Sequence, residues 1–410
     1  MSDVACTSST DRFHAALDAV PKSVRRILSA LHQIEAGTLD VTLPDLRKLR
    51  FTGTRSGPHA ELAIKSYAFV RRLGAGDVGF AEGYIAGEWD SPDVTAVLEV
   101  IACNQRLIDR FSAHPLMRAV QMARHWLNRN SRAGSRRNIH AHYDLGNAFY
   151  AAWLDPSMTY SSGLDVGNDL AGSQERKYAA MAAAAGIEAH HHVLEIGCGW
   201  GGFAEYAARR IGCRVTALTI SEAQRAFAAE RISSAGLDHL VTIKLCDYRD
   251  EPGIYDRIIS IEMFEAVGEA YWTTFFDCLK ARLKPQGRAA LQVITIREDI
   301  FPRYRREMDF IRRYVFPGGM LPTPTILRDL GTTSGLDLTS EREFGLDYAE
   351  TCKHWRRSFD AAWQSIRSTG FDERFRRIWT YYLAYCEAGF RARTIDVRQI
   401  AFVKTDGASA

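Results

Sequence analysis

"VLEIGCGWGG", residues 193–202, decides how the rest of the chain is read. Val193, Leu194 and Ile196 form a short apolar run of the kind a strand covered on both faces carries. The run passes straight into Gly197-x-Gly199-x-x-Gly202. Glycines there leave no side chain between backbone and ligand, and they tolerate the left-handed backbone that tight turns use. The spacing predicts a strand, a ligand-cradling bend and a helix, and it suits more than one nucleotide-like ligand.

Downstream, strand-like stretches recur at 193–196, 213–219, 241–245, 256–261 and 288–295, separated by amphipathic helical stretches. That alternation predicts an α/β, Rossmann-like domain with a doubly wound, mostly parallel sheet. Aromatic- and arginine-rich helices follow after about residue 300, then a terminal strand-like "RQIAFVKT". Upstream, short strand-like pieces and turn signals read as a smaller α+β module. The expected organisation is an N-terminal α+β domain over 1–122, a basic linker over 123–139 and a catalytic domain over 140–410 with C-terminal helical elements. A chain of 410 residues accommodates two domains comfortably.

Net charge is only +3, but its distribution is uneven. No acid occurs between Asp109 and Asp144, while Arg110, Arg118, Arg124, Arg129, Arg132, Arg136 and Arg137 fall in that interval. This is either a solvated connector or a cationic patch for an anionic surface. Farther on, Arg303, Arg305, Arg306, Arg312 and Arg313 surround Phe310, Ile311, Val315 and Phe316, which reads as a basic amphipathic helix able to lie on a membrane. Trp379, Tyr381, Tyr382, Tyr385 and Phe390 form a stripe that is either core or lining for an acyl chain. The eight cysteines form no CxxC pair and read as reduced thiols. His140 and His142 have no companion ligands, so no metal is expected. No secretory signal and no bilayer-spanning apolar run is found.

The strand ends choose the ligand. A dinucleotide site needs a carboxylate closing the second strand to hold a ribose. Here "CRVTALTISEAQ" ends in Thr219, with no acid before Glu222. S-adenosylmethionine (SAM) needs groups for a carboxylate, an ammonium, a ribose and an adenine, but none for phosphate. Backbone at Gly197 and Gly199 can approach its methionine part, and Glu195 lies just before the bend. Thr219 and Gln224 can bond ribose or carboxylate, and Asp247 beside Tyr248 suits an adenine edge and face. The reading is SAM.

These residues resemble the cyclopropane fatty acid synthase family of SAM-dependent lipid methyltransferases. "HYDLGNAFYAAWLDPSMTYSS", "VLEIGCGWGGFAEYAA", "LTISEAQ", "CDYRD", "DRIISIEMFEAVG", "RYVFPGGMLP" and "YYLAYCEAGFRAR" carry the resemblance across nearly the whole chain. "GFAEGYIAGEWDSPD" extends it to the lipid-associated N-terminal domain of full-length members. The resemblance implies methyl transfer from SAM to the cis double bond of an unsaturated acyl chain in membrane phospholipid, through a carbocation that loses a proton and closes to a cyclopropane. It adds Tyr143, Tyr160, Ser161 and Ile261 to the SAM residues, and assigns acyl-chain binding to the C-terminal helices. It also implies a cytoplasmic protein held peripherally on an anionic inner membrane face, homodimerisation, and no specific nucleic acid.

The resemblance further implies a bicarbonate ion near the reacting carbons, and here the chain departs from the pattern. The glutamate persists as Glu265. Ser162 stands where the family has cysteine, Ala266 for a histidine, Gln292 for the histidine late in the fifth strand, and Arg356 for the tyrosine after Trp355. Ser162, Gln292 and Arg356 can still bond an anion, so bicarbonate is kept with altered ligands, or deprotonation occurs elsewhere and leaves a methyl-branched or methylene chain. A non-catalytic protein that binds SAM and lipid is the further alternative, as is nucleic-acid methylation, against which "SIEMFEAVG" argues by lacking a proline-aromatic grip for a flipped base.

Overall fold

The computed structural model describes residues 20–110 and 145–405. They form two compact units, neither continuous in sequence. The first takes in 20–110, 306–315 and 367–394; the second takes in 145–305, 316–366 and 395–405. Tyr143, His140, His142 and the 123–139 stretch lie outside the described residues.

In the first unit, β1 (Ala36–Thr42), β2 (Lys48–Thr52), β3 (Arg55–Ile64) and β4 (Trp89–Asp90) form a sheet in the order β2-β1-β3-β4. Strand β2, "KLRFT", buries Leu49 and Phe51 while Lys48, Arg50 and Thr52 face water, the two-residue period of a half-buried strand. Helix Glu373–Arg391 packs on helix Val94–Cys103, where Thr95 Oγ1 donates to Glu387 Oε2 at 3.2 Å. Trp379, Tyr381, Tyr382 and Phe390 are buried, and the Tyr381 ring lies 4.7 Å from Phe310 and 5.7 Å from Tyr84. The C-terminal aromatic stripe is thus core of this unit.

The expected single basic helix around residues 303–313 does not form. Two short helices, Phe301–Tyr304 and Phe310–Tyr314, stand in its place. Arg305 pairs with Glu269 at 2.7 Å, and Arg312 is buried, bonded to Asp309 and to the Glu307 carbonyl. These two arginines are spent on internal partners.

The second unit is a seven-stranded sheet in the order β10-β11-β9-β8-β5-β6-β7, built from β5 (His192–Ile196), β6 (Arg214–Thr219), β7 (Val241–Leu245), β8 (Tyr255–Ile261), β9 (Leu283–Ile296), β10 (Leu336–Glu343) and β11 (Ile395–Lys404). β5 to β9 pair in parallel, and β11 inserts antiparallel between β9 and β10. Alternate residues feed two cores. Leu194, Ile258 and Leu291 meet Phe264, Phe275 and Phe276 on one face, while Val193, Ile259 and Ala290 meet Tyr178, Met181 and Phe203 on the other. A sheet covered on both faces explains the unbroken apolar runs of β5 and β8.

β10 had no counterpart in the sequence reading. Its "LDLTSERE" buries only Leu336, as a polar edge strand can. At β5 the strand order reverses, with β6 on one side and β8 on the other, so the carboxyl ends of β5 and β8 open a crevice of the kind α/β sheets use for ligands. Among the described residues no helix is long and apolar enough to cross a membrane.

Candidate active site

The bend after β5 needs its glycines for two different reasons. Gly197 has φ +84°, and a Cβ there would lie 2.7 Å from Met263 Cγ, so both conformation and space exclude a side chain. Gly199 has φ +53° but nothing within 4 Å of a Cβ, so only conformation is at stake and the backbone faces open space. The Gly197 and Cys198 amides donate to the Leu218 carbonyl at 3.0 and 2.8 Å, tying the bend to the end of β6.

At that end Thr219 and Gln224 meet, the Thr219 hydroxyl donating to Gln224 Oε1 at 2.8 Å. Ser221 caps the next helix by accepting from the Gln224 amide. After β7, Asp247 is buried and bidentate with Arg249, at 2.8 and 2.6 Å. Tyr248 is half-buried against Phe275, and Ile261 closes β8. Backbone, hydroxyl, amide, carboxylate and aromatic face thus stand at the ends of adjoining strands, a donor set that fits SAM and offers no phosphate clamp.

Tyr160 and Ser161 come from the stretch ahead of β5. Tyr160 sits in an aromatic box with Tyr150, Trp153 and Trp355, ring centroids 5.3–5.6 Å away. The buried Ser161 accepts from Lys177 Nζ at 2.6 Å, and Lys177 also donates to Gln174 Oε1 at 2.6 Å. Lys177 is fully buried, and burial pulls its ammonium down to about 7 against the nearby charges of Glu262, Asp155 and Glu195. Burial likewise pushes Glu195 up to about 8, opposed by Lys177 and the Ala204 amide.

Two glutamates follow β8, and they differ sharply. The Glu262 carboxylate accepts from the Ser162 amide at 2.9 Å and from Gln292 Nε2 at 2.8 Å through Oε1, and from the Tyr348 hydroxyl through Oε2. Burial pushes its carboxyl up; Tyr348, Gln292, Lys177 and Ser162 all hold it down. Its backbone has φ +51°, a left-handed conformation that costs a non-glycine residue about 1–3 kcal/mol. Glu265 accepts from the Ile294 amide through Oε1, while Oε2 is buried without a partner. Burial and then the charge of Glu262 push Glu265 up to about 8. A cation beside it would pull that value down again.

With this geometry in place, a family model described as mycolic acid cyclopropane synthetase matches residues 130–400. The chain belongs to that family. It is 40% identical over 349 residues to the tuberculostearic acid methyltransferase of Mycobacterium tuberculosis, covering 82% of this chain and 81% of the relative. It is 34% identical over 364 residues to the cyclopropane-fatty-acyl-phospholipid synthase of Escherichia coli, covering 84% and 87%. The solved cyclopropane synthase MmaA2 from Mycobacterium tuberculosis aligns with TM-score 0.62 at 27% identity, over 66% of this chain and 98% of that one. A mycolic acid cyclopropane synthase complexed with SAH and CTAB aligns equally well. As a member of this family, the protein is a SAM-dependent methyltransferase of the cyclopropane-fatty-acyl-phospholipid synthase type that modifies lipid chains.

For a family member, the anion position is unusual. Ser162 and Gln292 are indeed brought together, as the resemblance implied, but around a carboxylate that the chain itself provides. Ser162 spends its hydroxyl on the Gly163 carbonyl at 2.8 Å. Gln399 Nε2 donates to Gln292 Oε1 at 3.0 Å, which leaves Gln292 its NH2 group for Glu262. The donors a bicarbonate would need are engaged, so the residues do not fit that ion as a resident group. Arg356 is half-buried one residue beyond the buried Trp355, on helix Gly345–Ser368; no described contact joins it to Ser162, Gln292 or Glu265.

Lys177, Tyr348 and Glu262 were not among the site residues singled out from the sequence. A signal for Lys177 did exist. Gln174, Lys177, Met181 and Ala185 share one helical stripe in "SQERKYAAMAAAA", and an inward lysine there demands partners.

Proposed function

We propose that the protein transfers the SAM methyl to the cis double bond of an unsaturated acyl chain in membrane phospholipid, and that the resulting carbocation then loses a proton. The single observation that carries this reading is the convergence of a glycine bend suited to SAM with buried carboxylates and an aromatic box in one unit. SAM, when bound, supplies an electrophilic methyl on a sulfonium. The chain's own residues orient and shield. Gly197, Gly199, Thr219 and Gln224 would hold the amino-acid and ribose parts, and Asp247 and Tyr248 the adenine. Trp355 and Tyr160, 5.3 Å apart, offer π faces to a developing cation. Glu265 sets a carboxylate beside it in a water-poor site, where charge stabilisation is strongest.

Loss of the proton from the transferred methyl closes a cyclopropane. A second reading, a methyl-branched or methylene chain, is favoured by the altered anion site and by the 40% identity to a tuberculostearic acid methyltransferase. Incubation with labelled SAM and liposomes of known unsaturation, followed by mass spectrometry, separates them. Both products gain one methylene, but only the ring loses its alkene. No label in any acyl chain would sink the reading.

The substrate lies in a bilayer, so we infer peripheral docking on an anionic inner membrane face, with the arginines of 110–137 contributing about 1 kcal/mol each. Co-sedimentation with anionic but not neutral vesicles is the expected result; equal binding to both contradicts it.

A further inference from the structure

We propose that Glu262 takes the place of a bicarbonate ion and is itself the base that deprotonates the methylated acyl chain. The inference rests on the lipid methyl-transfer reading above and deepens it.

Three donors from three distant segments, the Ser162 amide, Gln292 Nε2 and the Tyr348 hydroxyl, converge on one carboxylate. Planar and singly charged, it presents two of the three oxygens of the anion it replaces. The backbone goes out of its way to put it there, since Glu262 adopts a left-handed φ that disfavours any side chain. Register adds a second constraint. Ile261 pairs with Gln292 across β8 and β9, and the Glu262 amide donates to the Gln292 carbonyl at 2.8 Å. The carboxylate and its principal donor are thereby fixed by the sheet itself.

The donor count leaves room for the proton. A carboxylate offers about four lone-pair positions. Oε1 uses two, on Ser162 and Gln292, and Oε2 uses one, on Tyr348. Oε2 keeps one. Burial makes the group more basic than a surface carboxylate, and the charge of Lys177 opposes that rise. Glu265 is the weaker candidate base: its nearest charge is another carboxylate, and it holds its own proton up to about 8.

The step balances. The electron pair of the broken C–H bond becomes the third ring bond or, after a 1,2-hydride shift carries the positive charge to the methyl-bearing carbon, the π bond of a methylene-branched chain. The proton passes to Glu262, which becomes a neutral acid and returns it to water after the product leaves.

The test uses the full chain with labelled SAM and unsaturated phospholipid liposomes, in CO2-free buffer and with added millimolar bicarbonate. Wild type should turn over equally in both. Glu262→Gln, which keeps shape but cannot take the proton, should lose about 10²–10⁴-fold in both. Glu262→Gly, which suits the left-handed backbone and vacates the anion position, should be inactive without bicarbonate and regain turnover with it. Wild type that stalls in CO2-free buffer and recovers with bicarbonate overturns the proposal, as does a fully active Glu262→Gln. The wild-type arm decides even if a variant fails to fold. No methylated lipid under any condition refutes instead the underlying functional reading.

Discussion

The two ends of the proposed active site are built in opposite ways. The donor end, from Gly197 through Thr219, Gln224 and Asp247, consists of strand termini and the short turns that follow them. Its polar groups pair with near neighbours in sequence, Thr219 with Gln224 and Asp247 with Arg249. The acceptor end draws Ser162, Glu262, Gln292 and Tyr348 from segments far apart in the chain, 130 residues between Ser162 and Gln292 and more between Ser162 and Tyr348. The first arrangement is local, so it survives changes elsewhere in the chain. The second is a tertiary assembly in which one altered residue, a carboxylate at 262, changes what every neighbour does.

The contrast is sharpest at Glu265, which belongs to the acceptor end without sharing its donors. Glu265→Ala should lower kcat by about 10²–10³-fold, the usual cost of removing one preorganised charge-stabilising group. SAM affinity measured by calorimetry should stay near wild type. A parallel loss of SAM binding would merge the two ends into one and spoil the comparison.

At the donor end the glycines grade the effect. Gly197→Ala meets both a left-handed φ and Met263, and should weaken SAM binding by about 10–100-fold, given 1–3 kcal/mol of strain. Gly199→Ala meets only the φ and should cost less. Equal losses would show that the space beside Met263 is irrelevant.

Thr219→Val removes the hydroxyl that serves both Gln224 and the Ser221 amide. Leaving those groups unpaired costs about 1–3 kcal/mol. A rise of about 5- to 150-fold in the SAM Kd is expected, with kcat at saturating SAM little changed. A fall in kcat without a change in Kd contradicts the assignment.

The smallest effect is on stability against pH. Glu195 and Glu265 keep protons in the folded state up to about 8, whereas the unfolded chain releases them near 4.5. Between those values the native state binds more protons, so stability falls as pH rises. Lys177 acts in the reverse sense, and only above about 7. Glu265→Gln should therefore gain on wild type in Tm between pH 5 and pH 8, by roughly 2–4 °C per kcal/mol recovered. Parallel Tm profiles would show that Glu265 carries no such burden.

Legibility in the sequence followed the same division. "VLEIGCGWGG" announced β5 and its bend because apolar runs and glycine spacing are local facts. The cores of β6 to β9 could be read for the same reason. β10 escaped because "LDLTSERE" is a polar edge strand without a buried face of its own. The basic helix expected near residue 305 failed because charge patterning cannot see that Glu269 and Asp309 are waiting for Arg305 and Arg312.

Taken alone, the sequence determined the SAM-dependent class, the sheet and its glycine bend, since periodicity and turn residues act over a few positions. Only the tertiary structure decided that the Glu262 carboxylate lies between Ser162 and Gln292, and that the aromatic stripe of 379–390 is core of the first unit. Both depend on which distant groups share one water-poor space. A buried charge is stable only beside donors that the fold, not the neighbouring residues, brings to it.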